Sequence, residues 1–422
     1  MKIIAKIKEK IYKFLKWSEK YTQTDMIYLA KGGSWLLFFQ ITSTLFTFLL
    51  SIAFANLVSK EVYGLYKYII SIFAMVSTFT LPGIQTSLIQ AVSRKFEGNF
   101  FEATKKRICF GFLGSLVLIF LSGYYFLKEN LILSKGFLIA SLFLPFFYSF
   151  NTYHALFNGR KRFDLLSKFQ ILEKGLSIFI LIIILIISKN LFFILIGYFL
   201  SYSLVRILLW LILIKKYPPN LQKDPTMISY GKHLSFIRIL GDFTKYIDKI
   251  LVFHYLGAVP LAIYHFATAT PSQIMGILTN IRTLALPKFS QRKPYETKKT
   301  LNKKIFKFGL FILGIVIVYI LLCPFIYEVF FPKYKESIFY SQIFSLSLFG
   351  ALSFIPSTFL TSQREIKKIY QCSIINSFTK ILITFLAIYF WGLFGLVIGV
   401  VLVNLLNFLF IEFFVFLKEL IK

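Results

Sequence analysis

The stretch "RILGDFTKYIDKILVFH", residues 238–254, carries Arg238, Asp242, Lys245, Asp248 and Lys249 inside an apolar segment long enough to cross a membrane. If it crosses, five charges stand in or beside hydrocarbon and must face protein or trapped water. The flanking sequence shows that it is to be read as a span.

Of the 422 residues, 57% are hydrophobic and only 16% are charged, and mean hydropathy is +0.72. A soluble chain of this size has no interior large enough for that much apolar surface. Twelve apolar runs of spanning length follow one another, at 34–57, 62–92, 108–126, 136–157, 169–188, 191–214, 234–256, 260–286, 305–323, 338–360, 369–389 and 392–416. With 234–256 counted as a span, the segments alternate sharply in charge. Those on one side (1–31, 93–107, 158–168, 215–233, 287–307, 361–368 and the C-terminus) hold 34 Lys/Arg, and the six opposite loops hold 6. The positive-inside rule then places both termini in the cytoplasm, and the sequence predicts an all-α membrane protein with twelve transmembrane helices. A bacterial-type cytoplasmic (inner) membrane is the expected location.

The same rule accounts for the net charge of +30 without nucleic acid as a partner. Cys109, Cys323 and Cys372 are too far apart for a metal-ligand or disulfide pattern, and no metal or other cofactor is expected. Paired carboxylates and long loops of the kind a membrane enzyme needs are not evident, so a non-enzyme is expected.

Residues 1–31 open with "MKIIAKIKEKIYKFLKWSEK", where Ile4, Ile7, Ile11 and Phe14 recur at helical spacing among lysines. This reads as a basic amphipathic segment lying along the inner leaflet. A linker at 215–233 divides the remainder into two six-helix halves, 32–214 and 234–422. "VYGLYKY" (62–68) lines up weakly with "PLAIYHF" (260–266), as expected of a parallel repeat.

Eight basic residues fall within the spans: Lys67, Lys174, Arg206, Arg238, Lys245, Lys249, Arg282 and Lys380. Lys67, Lys174 and Arg282 lie close enough to helix ends for their side chains to reach the interface. On a continuous helix, Arg238, Asp242, Lys245 and Lys249 fall within about 60° of one another, with Asp248 at the edge. Lys245 is near mid-bilayer, where a lipid-facing charge would cost about 3–17 kcal/mol. Lys380 is equally deep, on a stripe with Cys372, Asn376 and Thr384. A hydrated cationic chamber that accepts an anion is expected, with polar runs such as Gln40 to Ser51 and His265 to Thr279, including Ser272, forming its wall. Pro82-Gly83 is expected to break the second helix.

"VSKEVYGLYKYIISI", "LPGIQTSLIQAVSRKFEGN", "GKHLSFIRILGDFTKYIDKILVFHYLG" and "IINSFTKILITFLAIYFWGLFGLVIG" resemble the polysaccharide transporters of the multidrug/oligosaccharidyl-lipid/polysaccharide exporter superfamily, over roughly residues 30–417. The resemblance implies two six-helix bundles around a central cavity that opens alternately to each side. It is closest to the O-antigen and capsule-type flippases, which move a polyprenyl-diphosphate-linked oligosaccharide between leaflets. The family's Asp-basic pair falls on Asp248-Lys249. Lipid II flippases carry two further C-terminal helices, so twelve spans set the chain apart from that branch. Substrate contacts are expected from Lys245, Lys380, Arg206, Arg238 and Lys249, supported by Asp242, Asp248, Asn376, Gln40 and Ser272. Further expected partners are membrane lipid, a polysaccharide polymerase machinery and a proton or sodium counter-ion. The alternative is a multidrug or small-molecule exporter of the same superfamily.

Overall fold

The computed structural model describes residues 26–291, 301–362 and 366–420. Most of the expected interfacial segment 1–31 lies outside these residues, as does the side chain of Arg282. Among the described residues every regular element is helical, as backbone crossing a bilayer requires when it is not a closed barrel. In the first half these are α1 (Met26–Leu57), α2 (Lys60–Val76), α3 (Gly83–Ser93), α4 (Phe100–Leu127), α5 (Leu131–Phe147), α6 (Tyr153–Gly159), α7 (Phe163–Ile187) and α8 (Leu191–Lys216). The second half contains α9 (Met227–Thr244), α10 (Ile247–Leu256), α11 (Ala258–Gln291), α12 (Leu301–Phe330), α13 (Ser337–Ser345), α14 (Phe354–Ser362) and α15 (Ile366–Leu420).

Nine segments among the described residues are long and apolar enough to cross a membrane. The last of them, 371–415, is long enough for two crossings and breaks at Gly392, whose φ of 58° suits glycine. Residues 227–256 and 258–291 are not among the nine, because the first is interrupted and charged and the second is more polar.

Several boundaries differ from the sequence reading for local reasons. The second span is divided as expected: α2 passes through a 3-10 turn to Leu81, which has a left-handed φ of 53°, before Pro82 starts α3. Helix α4 begins at Phe100 rather than 108, so Arg107 is not in a basic loop but inside the helix and 2% exposed. The connection between halves is also shorter than 215–233, since only 217–226 lies outside helices.

That connection is stitched to the first half. Arg160 donates to both Glu97 carboxylate oxygens at 2.7 and 2.6 Å and to the Pro218 carbonyl at 2.7 Å. The Asn220 N–H donates to Glu97 at 2.9 Å, and Arg94 pairs with Asp224 at 2.5 Å. Burial would raise the Glu97 carboxyl, but the bonds from Arg160 and Asn220 outweigh it and hold the group below the usual carboxylate range.

Cores form within and between the halves. Phe54, Tyr63, Phe73 and Phe137 of the first half share one buried cluster with Leu261, Phe266, Tyr327 and Val397 of the second. A separate cluster around Leu88, Phe100, Phe157 and Leu213 also takes in Met227. Helix α1 packs on α7 but leaves Leu37, Phe38, Ile41, Leu45 and Leu49 exposed, as a lipid-facing helix does.

Candidate functional site

Helix α9 packs mainly against α3, with a lesser contact to α15, whereas α10 packs mainly against α11 and α15, with a lesser contact to α2. The chain changes partners at Lys245–Tyr246, where Tyr246 has φ −116° and ψ −5°. The charged stripe expected of one continuous helix is therefore divided, and its members face two cavities between the halves.

The first cavity has a volume of about 450 Å³ and is lined by α1, α2, α10 and α11. Lys67 enters it from the first half and Lys249 from the second, beside Ser51, His265, Ser272 and Gln273. Among the described residues no carboxylate lines it. Lys67 Nζ stands 5.1 and 5.4 Å from the Tyr63 and Tyr66 rings, and Lys249 Nζ stands 5.6 Å from the Tyr246 ring. These ring faces partly offset the charge. The Tyr63 hydroxyl lies 3.0 Å from His265 Nδ1 and joins the two halves beside the cations. Lys67 thus corrects an expectation: its side chain faces this cavity rather than reaching the interface. Lys174 lies 2.5 Å from Ser43 Oγ.

The second cavity, about 420 Å³, lies at the Pro82 break and is lined by Arg107, Arg238, Asp242, Lys245 and Tyr246 together with hydroxyl and amide side chains. Lys245 pairs with Asp242 at 2.5 Å, and Arg238 donates to Thr86 Oγ1 at 3.4 Å. Lys245 also borders a wider cleft of about 750 Å³ toward Ser373 and Ile374.

The remaining candidates take other positions. Asp248 is buried and accepts a 2.6 Å bond from the Tyr264 hydroxyl, while its Oδ1 has no partner among the described residues. Arg206 is buried within the first half, 2.8 Å from Glu173, and donates to the Phe147 carbonyl at 2.5 Å. Its guanidinium stacks 4.5 Å from the Phe147 ring. This position makes Arg206 part of an internal ion pair and not of either cavity wall. Lys380 and Asn376 are half-buried on α15 and line neither cavity; Gln40 is half-buried on α1, its amide 3.9 Å from where a Gly276 Cβ would stand. Three residues were missed from sequence. Glu173 has a partner that is distant in the chain, Arg107 was counted with a loop, and the depth of Lys67 does not reveal which way it faces.

Among the described residues, no group of three His, Cys, Asp or Glu side chains could hold a metal ion. The arrangement offers cations, hydroxyls and amides, which suits a hydrated anion with polar substituents.

Residues 29–293 match the family of polysaccharide biosynthesis proteins. No curated protein sequence matches the chain. Among solved structures, the lipid II flippase MurJ in an inward closed conformation is similar, with a TM-score of 0.70 at 17% identity, covering 90% of this chain and 87% of that one. An inward-facing multidrug resistance MATE family transporter of the MOP superfamily gives 0.58 at 12% identity, covering 88% and 94%. The eukaryotic MATE transporter AtDTX14 gives 0.60 at 13%, covering 92% and 94%. With well over half its length matched and the fold shared, the chain belongs to the polysaccharide biosynthesis protein family and is a multi-pass membrane protein with the multidrug/oligosaccharidyl-lipid/polysaccharide exporter fold.

Proposed function

We propose that the protein is a flippase that carries a polyprenyl-diphosphate-linked oligosaccharide across the cytoplasmic membrane by alternating access, in O-antigen or capsule-type polysaccharide synthesis. Twelve spans in two bundles, with both termini cytoplasmic, complete the reading. The observation that carries it is the convergence of Lys67 and Lys249, one from each half, on a cavity that no carboxylate lines among the described residues. Like charges facing one half-buried cavity are unfavourable until an anion joins them, and a diphosphate supplies the missing charge to both halves at once. Because its two cations come from different halves, a bound diphosphate favours the conformation that brings them together. Such differential binding is what shifts a two-state equilibrium. Arg238 and Lys245 extend the positive field toward the glycan. A proton or sodium ion is the proposed counter-ion. An exporter of cationic drugs would be served poorly by this wall.

The test is mass spectrometry of lipid extracts from a gene deletion complemented by wild type, Lys67→Ala or Lys249→Ala. A lipid-linked oligosaccharide should accumulate in the deletion and in both variants, but not with wild type. Normal surface glycan in the deletion, with no accumulated lipid, would sink the reading.

A second feature supports a lipid-linked cargo. An apolar groove of about 610 Å³ runs between α11 and α12, past Leu310, Gly314, Val318 and Leu322. Thr270 and Ile274 line both this groove and the Lys67 cavity, so a headgroup site adjoins an apolar lane suited to an isoprenoid tail. A Cβ at Gly314 meets nothing within 4 Å. Gly314→Trp should therefore fold and fill the lane. The expected result is slower flipping in reconstituted vesicles at an unchanged thermal midpoint; unchanged flipping would remove the lane from the reading.

A further inference from the structure

Arg107 is one of the largest fully buried side chains in the protein, at 2% exposure, and it has no carboxylate partner among the described residues. Its Nε donates to the Thr80 carbonyl at 3.2 Å, and its Nη1 donates to Gln85 Oε1 at 3.3 Å and Asn151 Oδ1 at 2.9 Å. All three acceptors are neutral, and Nη2 is left without a partner among the described residues. The contrast with Arg206 is instructive, since that guanidinium lies in the same half and has Glu173 against it. A buried cation without a counter-ion is strongly disfavoured, and a chain that keeps one places it where an anion arrives.

The surroundings indicate what kind of anion. Arg107 lines the 420 Å³ cavity together with Gln85, Thr86, Tyr148 and Asn151. Amides, hydroxyls and a phenol are groups that bond sugar hydroxyls. Asp242, the carboxylate in this lining, is already paired with Lys245 at 2.5 Å. Among the described residues neither the buried Arg107 nor the exposed Arg238 has a carboxylate partner, in a wall otherwise suited to carbohydrate.

We propose that this second cavity is a glycan subsite in which Arg107 binds the carboxylate of an acidic sugar, so that the protein favours uronic-acid-bearing glycans. The two Nη2 hydrogens left over suit a carboxylate, as charge-assisted donors. This inference rests on the lipid-linked glycan reading above. A phosphate could satisfy the same chemistry, so the test separates the two sources.

Three ligands are titrated against purified full-length protein: undecaprenyl diphosphate alone, the same lipid bearing a single glucose, and the same lipid bearing a single glucuronic acid. Wild type should bind all three, the glucuronic acid form about tenfold more tightly than the glucose form, as a charge-assisted hydrogen bond allows. In Arg107→Gln, that preference should disappear while affinity for the other two is kept. In Arg107→Lys, which retains charge without the planar fork, the preference should shrink but persist. Equal affinity for the two sugar lipids in wild type would overturn the proposal. So would equal weakening of the bare diphosphate and the glucuronic acid lipid in Arg107→Gln, which would move Arg107 to the diphosphate site. If both variants lower the thermal midpoint and lose all ligands together, Arg107 is structural and the subsite is refuted. If wild type binds none of the three, the flippase reading itself fails.

Discussion

Replacing Glu173 by alanine is expected to lower stability by about 3–5 kcal/mol, the usual effect of stripping one partner from a buried ion pair. The size follows from what is left behind. Glu173 and Arg206 are 6% and 9% exposed. Glu173 accepts from Arg206 at 2.8 Å and from the Tyr153 hydroxyl, and its Oε2 lies 3.2 Å from His154 Nε2. Without the carboxylate, Arg206 keeps only the Phe147 carbonyl and the faces of Phe147, Tyr148 and Tyr202. The variant should reach the membrane in low amount and melt early in scanning fluorimetry. Glu173→Leu combined with Arg206→Met should recover most of that loss, because an apolar pair of similar volume avoids desolvating two charges. A single variant within about 1 kcal/mol of wild type would resemble an exposed pair and would refute the buried-anchor role.

The all-helical, multi-span character was legible because hydrocarbon thickness imposes a length on apolar runs, which is visible without tertiary contacts. The break at Pro82-Gly83 was legible because proline removes a donor and glycine tolerates rare dihedrals. The break at Lys245–Tyr246 was not, since "FTKYID" has no proline or glycine and is compatible with continuous helix. Packing changes across that break, with α9 mainly against the first half and α10 mainly against the second. The charged stripe inherited the error, because an angle of 100° per residue holds only along an unbroken axis.

Orientation limited the rest of the site. Depth within a span shows that a charge is unfavourable in lipid, but not which cavity receives it. Lys67, five residues from its expected end, faces the site, while Arg206, deeper in its span, is spent on an ion pair. That pair joins residues 33 positions apart in sequence, a separation at which no helical periodicity indicates contact. Arg107 was hidden by a boundary drawn eight residues late, a typical error where a helix continues past its apolar core.

Gly64→Val is expected to abolish transport, by preventing one of the two closures that alternating access needs. Helix α2 approaches α11 so closely that a Cβ on Gly64 would lie 1.9 Å from the Ala258 carbonyl oxygen, a backbone atom that cannot swing aside. Beside this contact Lys60 pairs with Glu336 at 3.0 Å and Lys333 donates to the Asn56 carbonyl at 2.7 Å. At the opposite end a Cβ on Gly83 would lie 2.5 Å from both the Gly231 carbonyl oxygen and the Ser235 nitrogen. There the Gly83 N–H donates to Ser235 Oγ at 2.9 Å. Glycine thus permits backbone contact between the halves at both positions. An overpacking penalty of about 3 kcal/mol would shift the open-to-closed ratio at either end roughly 100-fold. On the proposed orientation, Gly64→Val should hold the outer end open and Gly83→Val the cytoplasmic end. A Thr268→Cys reporter in the Lys67 cavity, with Cys109, Cys323 and Cys372 removed, distinguishes these states. An impermeant maleimide added outside intact cells should label it faster in Gly64→Val and more slowly in Gly83→Val. Wild-type transport in either variant would show that the contact is not a gate. Lost transport with identical labelling would show that the two ends do not alternate, because a barrier that moves between two faces must change which face the cavity meets.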